Sequence, residues 1–190
     1  MAQSADLDVF NKISQQMRKY RGCGNHLSPG GIFNIEHWRC GALLRKYSFH
    51  NDVVDEGKRR ILNVMFNAAT QLTNWYLGLV SASPSPTFSA SDTYASHSGW
   101  TEFTNYSQSN RVAWGNGTVS SPSTTVTNSS PATFDITGTG TLKGVMVTSN
   151  NTKGDSTSGS NNVLWSTANF SADIPVANGD QLKVTYSLAT

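Results

Sequence analysis

From Asn74 onward the chain offers no stretch periodic enough for a helix, and its apolar residues come in short runs divided by Gly, Pro, Ser and Asn. The runs fall at 75–80, 100–103, 111–114, 124–127, 133–136, 142–148, 163–165 and 181–188. Short runs bounded by turn-forming residues are the mark of strands. Eight of them at this spacing predict a mainly β fold, an antiparallel sandwich or jelly roll, because a parallel sheet would need helices between its strands. The last run shows the pattern best. Leu182, Val184, Tyr186 and Leu188 alternate with polar residues, so one face is buried and one is wet, and Asn178-Gly179 before it supplies a turn.

Composition points the same way. Charged residues make up 14% of the chain, against about 25% in an ordinary soluble protein. Ser, Thr, Asn and Gly fill the gap, and their short side chains satisfy nearby backbone groups, which suits turns and brief strands. Two long polar loops stand out at 81–99, with Pro84 and Pro86, and at 149–162; such loops are functional surfaces or mobile tips.

Ahead of this β-rich part the pattern changes. Leu7, Phe10, Ile13, Met17 and Tyr20 recur at three- and four-residue spacing, which predicts an amphipathic helix from about Ala5 to Tyr20. Ser4 caps it, Asp6 and Asp8 suit its positive end, Arg18, Lys19 and Arg21 suit the other, and Gly22 stops it. A helix of this length is marginal alone in water, so its stripe packs on its own domain or docks on a partner. Two β-prone segments at 32–39 and 43–50, split by Cys40-Gly41-Ala42, predict a hairpin. Asn51 or Asp52 then caps a second helix to about Phe66, with Val54, Ile61, Leu62 and Met65 along one side and Lys58, Arg59 and Arg60 on the wet face. The expected organisation is an arm over residues 1–31, a hairpin-plus-helix accessory over 32–73 and a sandwich domain over 74–190.

Charge is uneven along the chain. Residues 1–66 carry ten Lys/Arg against six Asp/Glu, while 67–190 carry four against six. A total of +2 is too small to imply nucleic acid, which calls for a concentrated basic face; the Lys58-Arg59-Arg60 turn is read as solvated. No apolar run approaches the roughly 20 residues of a bilayer span, and the N-terminal residues lack a secretory pattern. The expectation is a protein made in the cytoplasm, with Cys23 and Cys40 as free thiols and no membrane partner.

Few groups offer chemistry. Cys23-x2-His26 and His37-x2-Cys40 form a symmetric set of four possible zinc ligands, but His37 and Cys40 straddle the end of a predicted strand, where side chains three apart point to opposite faces. They are read as incidental, with no metal and no cofactor expected. Asp92 and Glu102 are the one acid pair worth testing as glycosidase-like; the structural reading puts Asp92 in a loop turn and Glu102 on the exposed side of a strand. No G-x-S-x-G elbow or phosphate-binding glycine loop is present. Trp75, Trp100, Trp114 and Trp165 fall in or beside predicted strands and are read as core rather than as a sugar platform. The chain is expected to be non-enzymatic.

Several segments carry a resemblance. His50-Asn51-Asp52-Val53-Val54-Asp55-Glu56-Gly57-Lys58, Ile61-Leu62-Asn63-Val64-Met65-Phe66 and Thr73-Asn74-Trp75-Tyr76-Leu77-Gly78-Leu79-Val80 form its first part. Gly99-Trp100-Thr101-Glu102-Phe103, Arg111-Val112-Ala113-Trp114, Leu164-Trp165-Ser166-Thr167-Ala168 and Val176-Ala177-Asn178-Gly179-Asp180-Gln181-Leu182 complete it. Together they resemble a group of small virion proteins of tailed bacteriophages, over most of residues 32–190. The resemblance implies a component of the head surface, such as a decoration or cement protein, or of a tail or neck appendage; the runner-up reading is a tail, fibre or neck protein that touches host carbohydrate through an exposed aromatic. On this reading the chain is a virion protein, a dimer or trimer whose partner is the major capsid protein or another virion component. Leu7, Phe10, Ile13, Met17 and Tyr20 would then supply contacts to the shell.

Overall fold

The computed structural model describes residues 29–189, and among them eleven strands and one helix. The predicted hairpin is present as β1 (Gly30–Arg39) and β2 (Ala42–His50), turning through Cys40 and Gly41, both at positive φ. After β3 (Asp52–Val53) and α1 (Asp55–Phe66), the chain forms β4 (Tyr76–Ser81), β5 (Glu102–Phe103), β6 (Val112–Ala113), β7 (Thr125–Thr127), β8 (Ala132–Asp135), β9 (Gly140–Thr148), β10 (Leu164–Val176) and β11 (Asp180–Ala189). Each of the eight apolar runs thus holds a strand.

The strands form two antiparallel sheets. In the first, β1 lies between β2 and β11, and β11 pairs on its other side with β7 and then β8. In the second the order is β3-β10-β9-β4, with β5 and β6 both on the far edge of β4. One apolar core joins them: Phe33, Ile35, Leu182 and Val184 from the first sheet share it with Leu77, Val145, Phe170 and Ile174 from the second. Phe49 stacks on Phe170 at 4.3 Å between ring centres, one ring from each sheet. The architecture is therefore sandwich-like. The hairpin contributes an interior strand to it, because Phe33, Ile35 and His37 alternate inward while Asn34, Glu36 and Trp38 face out.

The edge of β11 facing β7 and β8 is interrupted, and Asn128 fills the break. Its side-chain oxygen accepts from the Tyr186 backbone N–H at 2.7 Å and from Trp114 Nε1, and its Nδ2 donates to the Val184 carbonyl. The amide thus stands in for a strand residue, which is how a buried backbone group escapes the cost of being unpaired.

Three local expectations are corrected. Asn51 and Asp52 do not cap the helix: Asp52 and Val53 pair with β10, Val54 is the N-cap without a side-chain bond, and the Asn51 amide instead bonds the Gly31 N–H and the Tyr186 hydroxyl. Helix α1 also presents a different face from the predicted one. Its closest approach to the sheet is at Gly57, where a Cβ would stand 2.5 Å from the Trp165 carbonyl oxygen, so only glycine lets the helix lie this near. Val54 is buried and Ile61 partly so, yet Leu62, Met65 and Phe66 are 55%, 61% and 73% exposed. Finally, β10 runs far beyond the predicted 163–165. Its middle is built of small and polar residues, several of them buried, and a bulge lies between Asn169 and Ile174. Pro175 is tolerated because β3 covers only Ser166 and Thr167, leaving that side of β10 without a strand partner there.

Candidate functional site

The long loops are held by a buried ionic cluster centred on Arg111. Its Nε and Nη2 donate to the Glu102 carboxylate, and the two side chains are only 2% and 5% exposed. The remaining donors reach three more groups: Nη1 bonds the Tyr94 hydroxyl and the Asn150 carbonyl, and Nη2 the Asp155 carbonyl. The Gly154 N–H returns to Glu102 at 2.7 Å, and the Tyr94 hydroxyl donates to Asp155 Oδ2. One guanidinium therefore ties loop 82–101, through Tyr94, and loop 149–163 to the edge of the second sheet. Burial alone would lower the Arg111 pKa, but the Glu102 pair outweighs it and holds the guanidinium above its ordinary value. Burial also pushes the Tyr94 hydroxyl up to about 12. The expected exposed position of Glu102 is thus corrected: its strand is two residues long, and the side chain turns under loop 149–163 to meet Arg111.

Asp92 does not join Glu102. Its Oδ2 accepts from the Ser89 N–H and from Trp100 Nε1, so it closes a loop turn and anchors the Trp100 indole, over which His97 stacks at 3.9 Å. The first turn of α1 has a similar duty, since Glu56 Oε2 accepts from the N–H groups of Tyr94 and Leu164.

In the first sheet, where β1 ends opposite the start of β11, Asp180 takes bonds from Arg39 Nε and Nη2, from His37 Nε2 at 2.8 Å and from the Ala177 N–H. The Arg39 bond, more than any other contact, holds this carboxyl well below the usual carboxylate range. His37 is thereby committed to Asp180, while Cys40 is exposed on the turn. Cys23 and His26, the other half of the four-ligand set, lie outside the described residues, as do Leu7, Phe10, Ile13, Met17 and Tyr20.

Of the four tryptophans singled out from sequence, three are placed in the interior and Trp75 is half-buried against the core. Trp100, Trp114 and Trp165 are buried and Trp75 packs edge-on to Trp165. The fifth, Trp38, is the one that sequence reasoning passed over; it lies partly exposed on the outer face of the first sheet. There its Nε1 donates to Glu36, Lys183 Nζ sits 4.7 Å over its ring, and Glu36 pairs with Lys46. The alternation of β1 would have placed it there.

A different surface lies beside the end of α1. A groove of about 410 Å³ runs between loop 67–74 and loop 149–162, floored by Tyr76 and Leu72. Arg60 bridges its two walls, donating to the Thr70 and Ser160 carbonyls. Arg60 is therefore not simply part of a wet helix face; Lys58, by contrast, makes only an exposed pair with Asp55. No helix among the described residues is long and apolar enough to cross a membrane.

The chain matches no protein-family model and no curated protein.

Proposed function

We propose that the chain is a structural protein of a bacteriophage virion that decorates the outside of the head shell and braces neighbouring capsid subunits. It would act by contact rather than by bond chemistry, as a homo-oligomer whose partner is the major capsid protein. In this reading the sandwich is jelly-roll-like, supported by the chain changing sheet four times along its length, at β2–β3, β6–β7, β8–β9 and β10–β11. Each bound copy would stabilise the assembled shell in the way any ligand of one state stabilises that state.

The observation that carries the proposal is the end of α1. Leu62, Met65 and Phe66 stand out from a fold whose long loops are otherwise cross-tied, and large apolar side chains grouped on a rigid surface are what a partner interface uses. The resemblance supplies the kind of partner. The motifs that carry it are also the tie points of the fold: Glu56 and Gly57, Trp100 and Glu102, Arg111 and Trp114, Trp165, and Asp180. A tail, fibre or neck appendage touching host carbohydrate is the second reading, favoured by the groove beside the same helix end.

Quantifying this chain in purified particles, together with its location by electron microscopy, separates the two: hundreds of copies on the head for decoration, tens or fewer for an appendage. A Leu62→Ser/Met65→Ser/Phe66→Ser variant is expected to fold and to lose particle binding. Undiminished binding by that variant would remove α1 as the contact. The expected shell contact by the Leu7, Phe10, Ile13, Met17 and Tyr20 stripe is tested in parallel by deleting residues 1–28, which leaves β1 whole.

A further inference from the structure

Two surface depressions can be compared by what their side chains already hold. The depression of about 470 Å³ on the outer face of the first sheet is lined by Glu36, Lys46 and Lys183 among others. Its charged groups are engaged internally: Lys46 bonds Glu36, Glu36 in turn accepts from Trp38, and Lys183 Nζ lies over the Trp38 ring without a hydrogen bond. On the adjoining part of that face Gln181 and Gln108 both donate to Asp135. A ligand there would have to break internal pairs before making its own.

The groove between loops 67–74 and 149–162 is the reverse. None of its lining residues carries a carboxylate, an ammonium or a guanidinium. Asn150 and Asn162 are engaged with each other and with the loop, but the side-chain amides of Gln71, Asn74, Asn151 and Asn161 make no hydrogen bond within the described residues. Each amide offers two donors and one acceptor carbonyl. Arg60 holds the first wall through the Thr70 carbonyl, and the Arg111 cluster anchors the second through the Asn150 carbonyl and through the Asn151 carbonyl, which accepts from the Arg111 backbone N–H. Tyr76 supplies an aromatic surface at the floor, and the volume falls within the range of small-molecule sites, about 300–1,000 Å³.

We infer that this groove is a binding site for a neutral glycan, with the amides of Gln71, Asn74, Asn151 and Asn161 hydrogen-bonding sugar hydroxyls and Tyr76 lying against a ring face. Neutral polyols fit because every hydroxyl both donates and accepts, as the amides do, and because the guanidinium beside the groove, Arg60, is already engaged by the Thr70 carbonyl. The inference deepens the second of the two readings above, but direct binding by the isolated chain tests it wherever in a particle the chain resides.

The experiment is an NMR titration of the full chain, following backbone and side-chain amide resonances, with maltotriose, cellotriose, mannotriose and tri-N-acetylchitotriose as probes. At least one probe is expected to shift the resonances of Asn74, Asn151 and Asn161, and an Asn74→Ala/Asn151→Ala/Asn161→Ala variant with an unchanged spectrum elsewhere is expected to bind it at least about tenfold more weakly. Lys46→Ala, on the other depression, should leave the titration unchanged. Three results overturn the site: no shift with any of the four, shifts confined to the Trp38 face, or equal shifts with a neutral Gly/Ser peptide, which would make the groove a peptide site.

Discussion

Two regions of the molecule each bury an acid against an arginine, but they do so under different constraints. Glu102 and Arg111 are both sealed from water, and their bonds reach loops that contribute almost no strand. Asp180 is equally sealed, yet Arg39 is about half exposed and joins two strands, β1 and β11, already paired along their whole length. The first cluster substitutes for secondary structure; the second finishes a corner that the backbone has already built. The difference lies in what each arginine can do if its partner is lost: Arg39 can turn to water and Arg111 cannot.

That contrast can be broken by substitution. The largest effect is expected from Arg111→Met, which strands the Glu102 carboxylate in a buried site and releases both loops: about 3–5 kcal/mol of stability lost, read as a shift in a urea unfolding midpoint. Arg111→Met/Glu102→Met should recover much of that loss, because the cost comes from the unpaired charge more than from the missing pair. If the single variant loses under about 1 kcal/mol, the cluster is ornamental. Asp180→Asn should cost less, about 1–3 kcal/mol, since one carbonyl oxygen remains and Arg39 can hydrate. Its pH dependence sharpens the point. The native Asp180 pKa lies below that of the unfolded chain, so its contribution is complete above about pH 5 and is lost as the pH falls through the unfolded value toward the native one. The gap between wild type and Asp180→Asn should therefore be full at neutral pH and close in acid. The smallest effect belongs to Lys46→Ala: its pair with Glu36 is solvent-exposed, and no measurable change in the midpoint is expected.

Much of the β architecture was legible because strand burial imposes a period of two, and β11 displays that period without interruption. The failures cluster where side chains do work that periodicity does not encode. Ser166, Thr167 and Ala168 are buried yet small and mostly polar, so the long middle of β10 looked like loop. Asp52 and Asn51 have the chemistry of helix caps, but sheet pairing and the Tyr186 hydroxyl claimed them first. Glu102 lies on a strand of two residues and Arg111, nine residues on, just before another, too short a frame to show which side faces in. The turn role of Asp92 was readable because it is local, bonding a backbone group three residues away. The groove could not be read at all: Asn and Gln in loops are ordinary, and only the meeting of 67–74 with 149–162 makes their amides converge.

The position of β11 has a bearing on how the protein is made. It is flanked by β1 on one side and by β7 and β8 on the other, and all three precede it in sequence. At a synthesis rate of about 5–20 residues per second, β1 emerges from the ribosome on the order of ten seconds before the strand that will cover its open edge. During that wait the β1–β2 hairpin carries Phe33, Ile35 and Phe49 on one face before β11 brings Leu182, Val184 and Tyr186 alongside them. Until β11 arrives, the open edge of β1 is thus exposed to mispairing and chaperone capture.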